Sequence, residues 1–180
     1  PTDPQVAGRR MFELAGRTLG VIGYGEIARA VAKIAAALGM EVLACRRRPA
    51  SGDGAARMVP LGELLAKSDV VSIHCPLTDE TRGMVDAEMI SRMKPGAVLL
   101  NTARGAILNE RDVADALDSG RLYMAGLDVL SEEPPAPGHP LAFHPRVICT
   151  PHVSWMPVET RERLLRLAAE NLTRFAAQGG

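Results

Sequence analysis

The chain has few aromatic residues, with three Phe, two Tyr and one Trp among 180 residues. Its core must therefore be filled by Ala, Val, Leu and Ile, a composition that suits parallel strands covered by helices. Apolar residues make up 47% of the chain, enough to bury a sizeable core in one domain. Cysteine is scarce too. Cys45, Cys75 and Cys149 are odd in number and far apart, which excludes a disulfide framework, and no metal-ligand spacing occurs. Each reads as a small buried hydrophobe. No apolar run approaches the ~18 residues of a membrane span. Neither sign of charge is in excess, since 21 Lys and Arg balance 21 Asp and Glu. The chain thus has no overall pull toward nucleic acid or an anionic membrane. Arg9 with Arg10, and Arg46 with Arg47 and Arg48, form two short basic clusters that lack the interleaved aromatics of a nucleic-acid site. No basic-then-apolar leader opens the chain, and a reducing cytoplasm is the expected location.

What is present is a rhythm. Short β-rich runs at 17–22, 41–45, 69–74, 97–101, 123–129 and 146–150 alternate with helical spacing at 27–38, 60–67, 86–93, 109–119 and 158–177. Ile27, Val31, Ile34, Ala35 and Leu38 mark the first helix, which Gly39 stops, and Asn109 caps the fourth. Residues 46–56 and the four-proline stretch 131–140 read as loops. This alternation predicts an α/β fold, a doubly wound parallel sheet in a single domain with a long C-terminal helix.

Gly23-Tyr24-Gly25-Glu26-Ile27-Ala28 fits G-x-G-x-x-[GA] between a strand and a helix, the context that a dinucleotide-binding (Rossmann) turn requires. Gly23 permits the tight turn. Gly25 lets the backbone approach a pyrophosphate, and Ala28 lets helix and strand pack closely. The helix N-terminus then offers free N–H groups and a partial positive charge to the phosphates. The second strand should end in an acid if the cofactor is NAD, yet Arg46 stands there, followed by Arg47. A guanidinium forks onto a 2′-phosphate, so NADP is expected over NAD, with Arg46 or Arg47 on the phosphate.

Three polar features follow strand ends: Asn101-Thr102-Ala103-Arg104-Gly105, Leu127-Asp128-Val129 with Glu132-Glu133-Pro134, and Thr150-Pro151-His152. With the glycine turn and His74-Cys75-Pro76-Leu77-Thr78 through Thr81, this order resembles the NAD(P)-dependent D-isomer-specific 2-hydroxyacid dehydrogenases from about residue 10 onward. The resemblance implies roles. Arg104 would bind the carboxylate of a 2-keto or 2-hydroxy acid. His152 would be the general acid in reduction and the base in reverse, and Glu133 would pair with it so that the imidazolium can donate near neutral pH. Asp128 would lie at the nicotinamide end, and Glu26 and Ile27 at the helix start with their backbone facing the phosphates. Cys75, Pro76 and Thr81 would pass along the ribose and pyrophosphate, and Thr102 and Ala103 would join Arg104 and His152 beside the cofactor. His74 reads as structural, and His139 and His144 as surface residues.

The resemblance also divides the chain. Residues 1–15 would be a connecting segment, 16–155 the dinucleotide-binding domain, and 156–180 a helix returning to a substrate domain. Family members carry that domain in front, and here the turn begins at Gly23, so the chain reads as an excised domain, the alternative being a natural remnant. The apolar stripe of the last helix (Leu164, Leu165, Leu167, Ala168, Leu172, Phe175) then either lacks a partner or packs on its own sheet. Trp155 hints at an aromatic near the cleft or at a dimer contact. The expected function is NADP-linked reduction of a 2-keto acid of the glyoxylate or hydroxypyruvate class, by a homodimer joined through this domain. The alternative is a non-catalytic, nucleotide-responsive dimerisation module resembling the C-terminal-binding-protein co-repressors, against which Arg46 argues.

Overall fold

A computed structural model describes residues 11–47 and 54–177. Arg9, Arg10, Arg48 and most of the 1–15 segment lie outside the described residues. The seven strands are β1 (Thr18–Ile22), β2 (Glu41–Cys45), β3 (Arg57–Met58), β4 (Val70–Ile73), β5 (Ala97–Asn101), β6 (Leu122–Leu127) and β7 (Val147–Cys149). They form one sheet of order β3-β2-β1-β4-β5-β6-β7, and every neighbouring pair is parallel. Winding runs outward from β1 in one direction and from β4 in the other, so the switch point lies between those two strands. The helices are α1 (Glu26–Ala37), α2 (Leu61–Lys67), α3 (Ala87–Ser91), α4 (Glu110–Asp118) and α5 (Val158–Ala177). The expected fold class holds. The two-residue edge strand β3 carried no sequence signal, because so short a segment shows no alternation.

Successive strand residues point to opposite faces, and two apolar clusters result. On one face Leu19, Val21, Val42, Ala44 and Val70 meet Ala28, Ala32 and Ala35 of α1. On the other, Leu43, Val71, Ile73 and Leu99 meet Leu64 and Leu65 of α2, Met89 and Ile90 of α3, and Val113 and Leu117 of α4.

The spacing of Ile27, Val31, Ile34 and Leu38 correctly marks α1 but not the face it buries. Ala28 and Ala32 are fully buried, whereas Ile27, Ile34 and Leu38 are exposed. Small side chains let the helix axis come close to the sheet, and the larger ones are turned outward. In α5 no residue is buried, and Leu164, Leu165, Leu172 and Phe175 are exposed. Of the two expectations for its stripe, the structure gives the one without a partner among the described residues. The three cysteines are free and half-buried rather than fully buried, packed against the larger cluster.

Candidate active site

Two cavities lie at the C-terminal edge of the sheet. The first, of about 530 Å³, is lined by Gly23, Gly25, Arg46, Arg47, Cys75, Pro76 and Thr81, all expected at the cofactor. Gly23 has φ +90°, and its N–H donates to the Cys45 carbonyl at 2.8 Å. A Cβ on Gly23 would fall 2.6 Å from the Cys75 nitrogen, so only glycine lets the chain cross there. Gly25 caps α1 without a side-chain hydrogen bond, and a Cβ on it would meet open space. The turn therefore leaves a hollow before the first N–H groups of α1, with Glu26 and Ile27 in that first turn. Such a hollow fits a pyrophosphate. Thr81 staples the 76–81 turn: its Oγ1 donates to the Pro76 carbonyl at 2.8 Å and accepts from the Thr78 N–H at 2.8 Å.

No carboxylate stands at the end of β2, where Arg46 and Arg47 follow Cys45, but one reaches the cavity from elsewhere. Glu80 lines its wall and stands 3.7 Å from Nη1 of Arg47. The Thr78 hydroxyl donates to Glu80 and lowers its pKa, as does the charge of Arg47. Glu80 is missed by reading strand ends alone, since it comes from the segment after β4.

The second cavity, of about 380 Å³, is lined by Asp128, Glu133, Pro134, Cys149, Thr150 and His152, among others. Nδ1 of His152 lies 2.8 Å from Oε2 of Glu133. The hydrogen bond from His152, followed by that from the Leu130 N–H (3.0 Å), holds the Glu133 carboxyl below its ordinary pKa. An ionised carboxylate only accepts, so Nδ1 carries the proton and Nε2 is left for another partner. His152 adopts φ +53°, in the left-handed region that few non-glycine residues occupy.

Asp128 maintains that conformation. It is buried at the end of β6, where its carboxylate accepts from the Thr150 hydroxyl at 2.5 Å, the Val153 N–H at 2.9 Å and the Ser154 N–H at 3.0 Å. Its backbone carbonyl accepts from the His152 N–H at 2.9 Å. Burial alone would raise its pKa, but the hydrogen bonds from Thr150, Ser154 and Val153 outweigh burial and hold it at about 2. Sequence reading put Asp128 at the cofactor. The structure shows it tying down the loop around His152, a role that no spacing announces.

Thr102, Ala103 and Arg104 line neither cavity. They form a turn after β5 that buried Asn101 shapes, donating to the Arg104 carbonyl at 2.9 Å and accepting from the Ala103 N–H at 3.0 Å. The exposed Arg104 side chain donates to the Ala103 carbonyl at 2.6 Å. His74, read as structural, is half-buried against the Ser72 hydroxyl and also lines the first cavity. His139 and His144 overturn the expectation of surface positions: their side chains are 7% and 8% exposed, paired with Glu110 and Asp118. Pairing with a carboxylate allows an imidazole to be buried, and proline-rich flanks do not reveal it. Among the described residues no cluster of His, Cys, Asp and Glu is arranged to hold a metal, and no helix is long and apolar enough to cross a membrane.

Comparison with known proteins agrees with this geometry. Residues 4–154 match the family described as D-isomer specific 2-hydroxyacid dehydrogenase, NAD binding domain. The chain is 48% identical over 167 residues to a hydroxypyruvate reductase of Blautia hydrogenotrophica, covering 92% of this chain and 52% of that one. Among solved structures, an acyclic imino acid reductase in complex with NADPH and D-Arg superposes with TM-score 0.87 at 33% identity, covering 93% of this chain and 53% of that one. A D-lactate dehydrogenase with NAD+ from Lactobacillus jensenii superposes with TM-score 0.86 at 28% identity, covering 93% and 55%. The chain spans about half the length of the relatives it matches. With the glycine turn, the His152–Glu133 pair and the switch-point cavity in place, the chain belongs to the D-isomer-specific 2-hydroxyacid dehydrogenase family, as its NAD(P)-binding domain.

Proposed function

We propose that this domain serves an NADP-linked reductase of 2-keto acids of the glyoxylate or hydroxypyruvate class. The observation that carries the proposal is the His152–Glu133 pair, at 2.8 Å, in the second cavity at the C-terminal edge of the sheet. Bound NADPH supplies the hydride. Glu133 holds the Nδ1 proton, so Nε2 of His152 gives its proton to the substrate carbonyl oxygen during reduction and takes one from the hydroxyl in reverse. Arg104 holds the substrate carboxylate through its guanidinium fork. Asp128 keeps the His152 loop in place, and its carboxylate faces the loop N–H groups. A substrate-binding half, reached through α5, completes the cleft.

Arg46 and Arg47 in the first cavity support NADP. Glu80 competes for Arg47, but both side chains are well exposed, and such a pair contributes at most ~1 kcal/mol, less than a charge-assisted bond to a phosphate. The exposed row of Ile27, Ile34 and Leu38 on α1, with Met11 and Leu14, supports association with a second copy of the chain. Free thiols suit a reducing compartment such as the cytoplasm.

Steady-state assays on the enzyme that carries this domain test the reading. Reduction of glyoxylate or hydroxypyruvate with NADPH is expected, and full activity in His152→Ala would overturn it. Fluorescence titration of the 180-residue chain should show tighter NADPH than NADH binding. Arg46→Ala should weaken NADPH by about 10- to 100-fold, the scale of one or two charge-assisted hydrogen bonds, and leave NADH little changed.

A further inference from the structure

We infer that Glu110, at the start of α4, is a positioning residue for the His152–Glu133 pair, acting through a clamp with Ser131 and His139. The inference rests on the role proposed for His152.

Glu133 sits in the 131–140 loop, between β6 and β7. Its side chain is 37% exposed, so little packing orients it. Besides its hydrogen bonds with His152 and the Leu130 N–H, the course of the loop backbone orients it, and Glu110 grips that backbone. Oε1 of Glu110 accepts from the Ser131 N–H at 2.7 Å, and Oε2 accepts from the Ser131 hydroxyl. The same Oε2 lies 3.0 Å from Nε2 of His139. Nδ1 of His139 accepts from the Leu141 N–H at 3.2 Å, which leaves the ring proton on Nε2, directed at Glu110. One carboxylate thus holds both ends of the loop, and Leu141 just beyond is fully buried.

Two adjacent backbone donors are divided between the two glutamates. The Leu130 N–H goes to Glu133 and the Ser131 N–H to Glu110. The peptide joining them is also pressed by Gly105, where a Cβ would fall 1.9 Å from the Leu130 carbonyl carbon and 2.4 Å from the Ser131 nitrogen. The turn after Arg104, the start of α4 and the loop of Glu133 therefore meet at one peptide. If Glu110 lets go of Ser131, the Leu130–Ser131 peptide can rotate, and the carboxylate that selects the Nδ1–H form of His152 moves with it.

The test is the tautomer of His152, read by nitrogen NMR on the 180-residue chain labelled at histidine, at a pH where the imidazoles are neutral. His152→Gln assigns the signals, and Glu133→Ala gives the limit without a carboxylate. The proton is expected on Nδ1 in the unaltered chain. In Glu110→Gln it should shift toward Nε2, in the direction of Glu133→Ala, with a smaller shift in Ser131→Ala. An Nε2–H form in the unaltered chain, or an unchanged Nδ1–H form in folded Glu110→Gln, overturns the inference. If Glu110→Gln does not fold, Ser131→Ala decides alone: a shift supports the clamp and an unaltered tautomer overturns it. The readout needs no turnover. An active His152→Ala enzyme would overturn the catalytic role and leave this result standing, and an unmoved tautomer would overturn the clamp and leave the catalytic role standing.

Discussion

Two histidine–glutamate pairs flank the same loop, and they differ in one respect that decides their use. In the His139–Glu110 pair both ring nitrogens are engaged, and the side chains are 7% and 12% exposed. In the His152–Glu133 pair one ring nitrogen meets the carboxylate, and the side chains are 42% and 37% exposed. The first pair spends its whole hydrogen-bonding capacity on holding the chain. The second keeps Nε2 available, in a half-open cavity, in a backbone conformation held by a buried aspartate. Under the proposed function, the pair with both ring nitrogens engaged is structural and the pair with Nε2 left over is the one that would react.

The largest expected break in this comparison is in turnover. His152→Ala should lower kcat for keto-acid reduction by about 10²- to 10⁴-fold, the usual contribution of a positioned general acid. His139→Ala should act mainly on stability, costing ~1 kcal/mol because it strips a partly buried carboxylate of a donor, as urea unfolding would measure. Comparable kcat losses in both variants would erase the distinction.

Acid should expose the Asp128 brace next. Its pKa in the folded chain, about 2, lies below the ordinary value of 3.8. Its contribution to stability is therefore complete above about pH 4 and is lost as pH falls through 2, amounting to about 2 kcal/mol. Unfolding free energies measured from pH 5 to 2 should show this slope, and Asp128→Asn should flatten it. A slope that survives in Asp128→Asn would assign the acid limb to other carboxylates.

The same contrast between satisfied and spare groups recurs on α1 at smaller scale. Ala32→Leu, in the close contact with the sheet, should cost ~1–3 kcal/mol through overpacking. Ile34→Ser, on the outward row, should leave fold stability within about 0.5 kcal/mol and act instead on self-association, read by light scattering. Equal destabilisation by the two would contradict the burial pattern.

Much of the fold was legible because its signals are local. The glycine turn, the Asn109 cap and the spacing of α5 each depend on residues within a few positions of one another, and the structure places all three where the sequence does. The face of α1 was not legible, since hydrophobicity favours Ile over Ala while close approach to a parallel sheet favours Ala over Ile. The low side-chain exposure of His139 and His144 was hidden for a similar reason: their partners Glu110 and Asp118 lie 29 and 26 residues away.

By itself, then, the sequence determined the parallel sheet, the glycine turn between β1 and α1, the arginines in place of an acid at the end of β2 and the identity of the residues that follow strand ends. Those features follow from backbone propensity and motif spacing, which act over short range. Only the tertiary structure decided that Glu80 reaches Arg47 from another segment, that the Glu133–His152 pair expected from the resemblance closes to 2.8 Å, and that Asp128 and Glu110 hold the two loops that carry the pair. Those are contacts between segments brought together by the sheet, and their strength depends on burial and on hydrogen-bond geometry, which no single stretch of sequence contains.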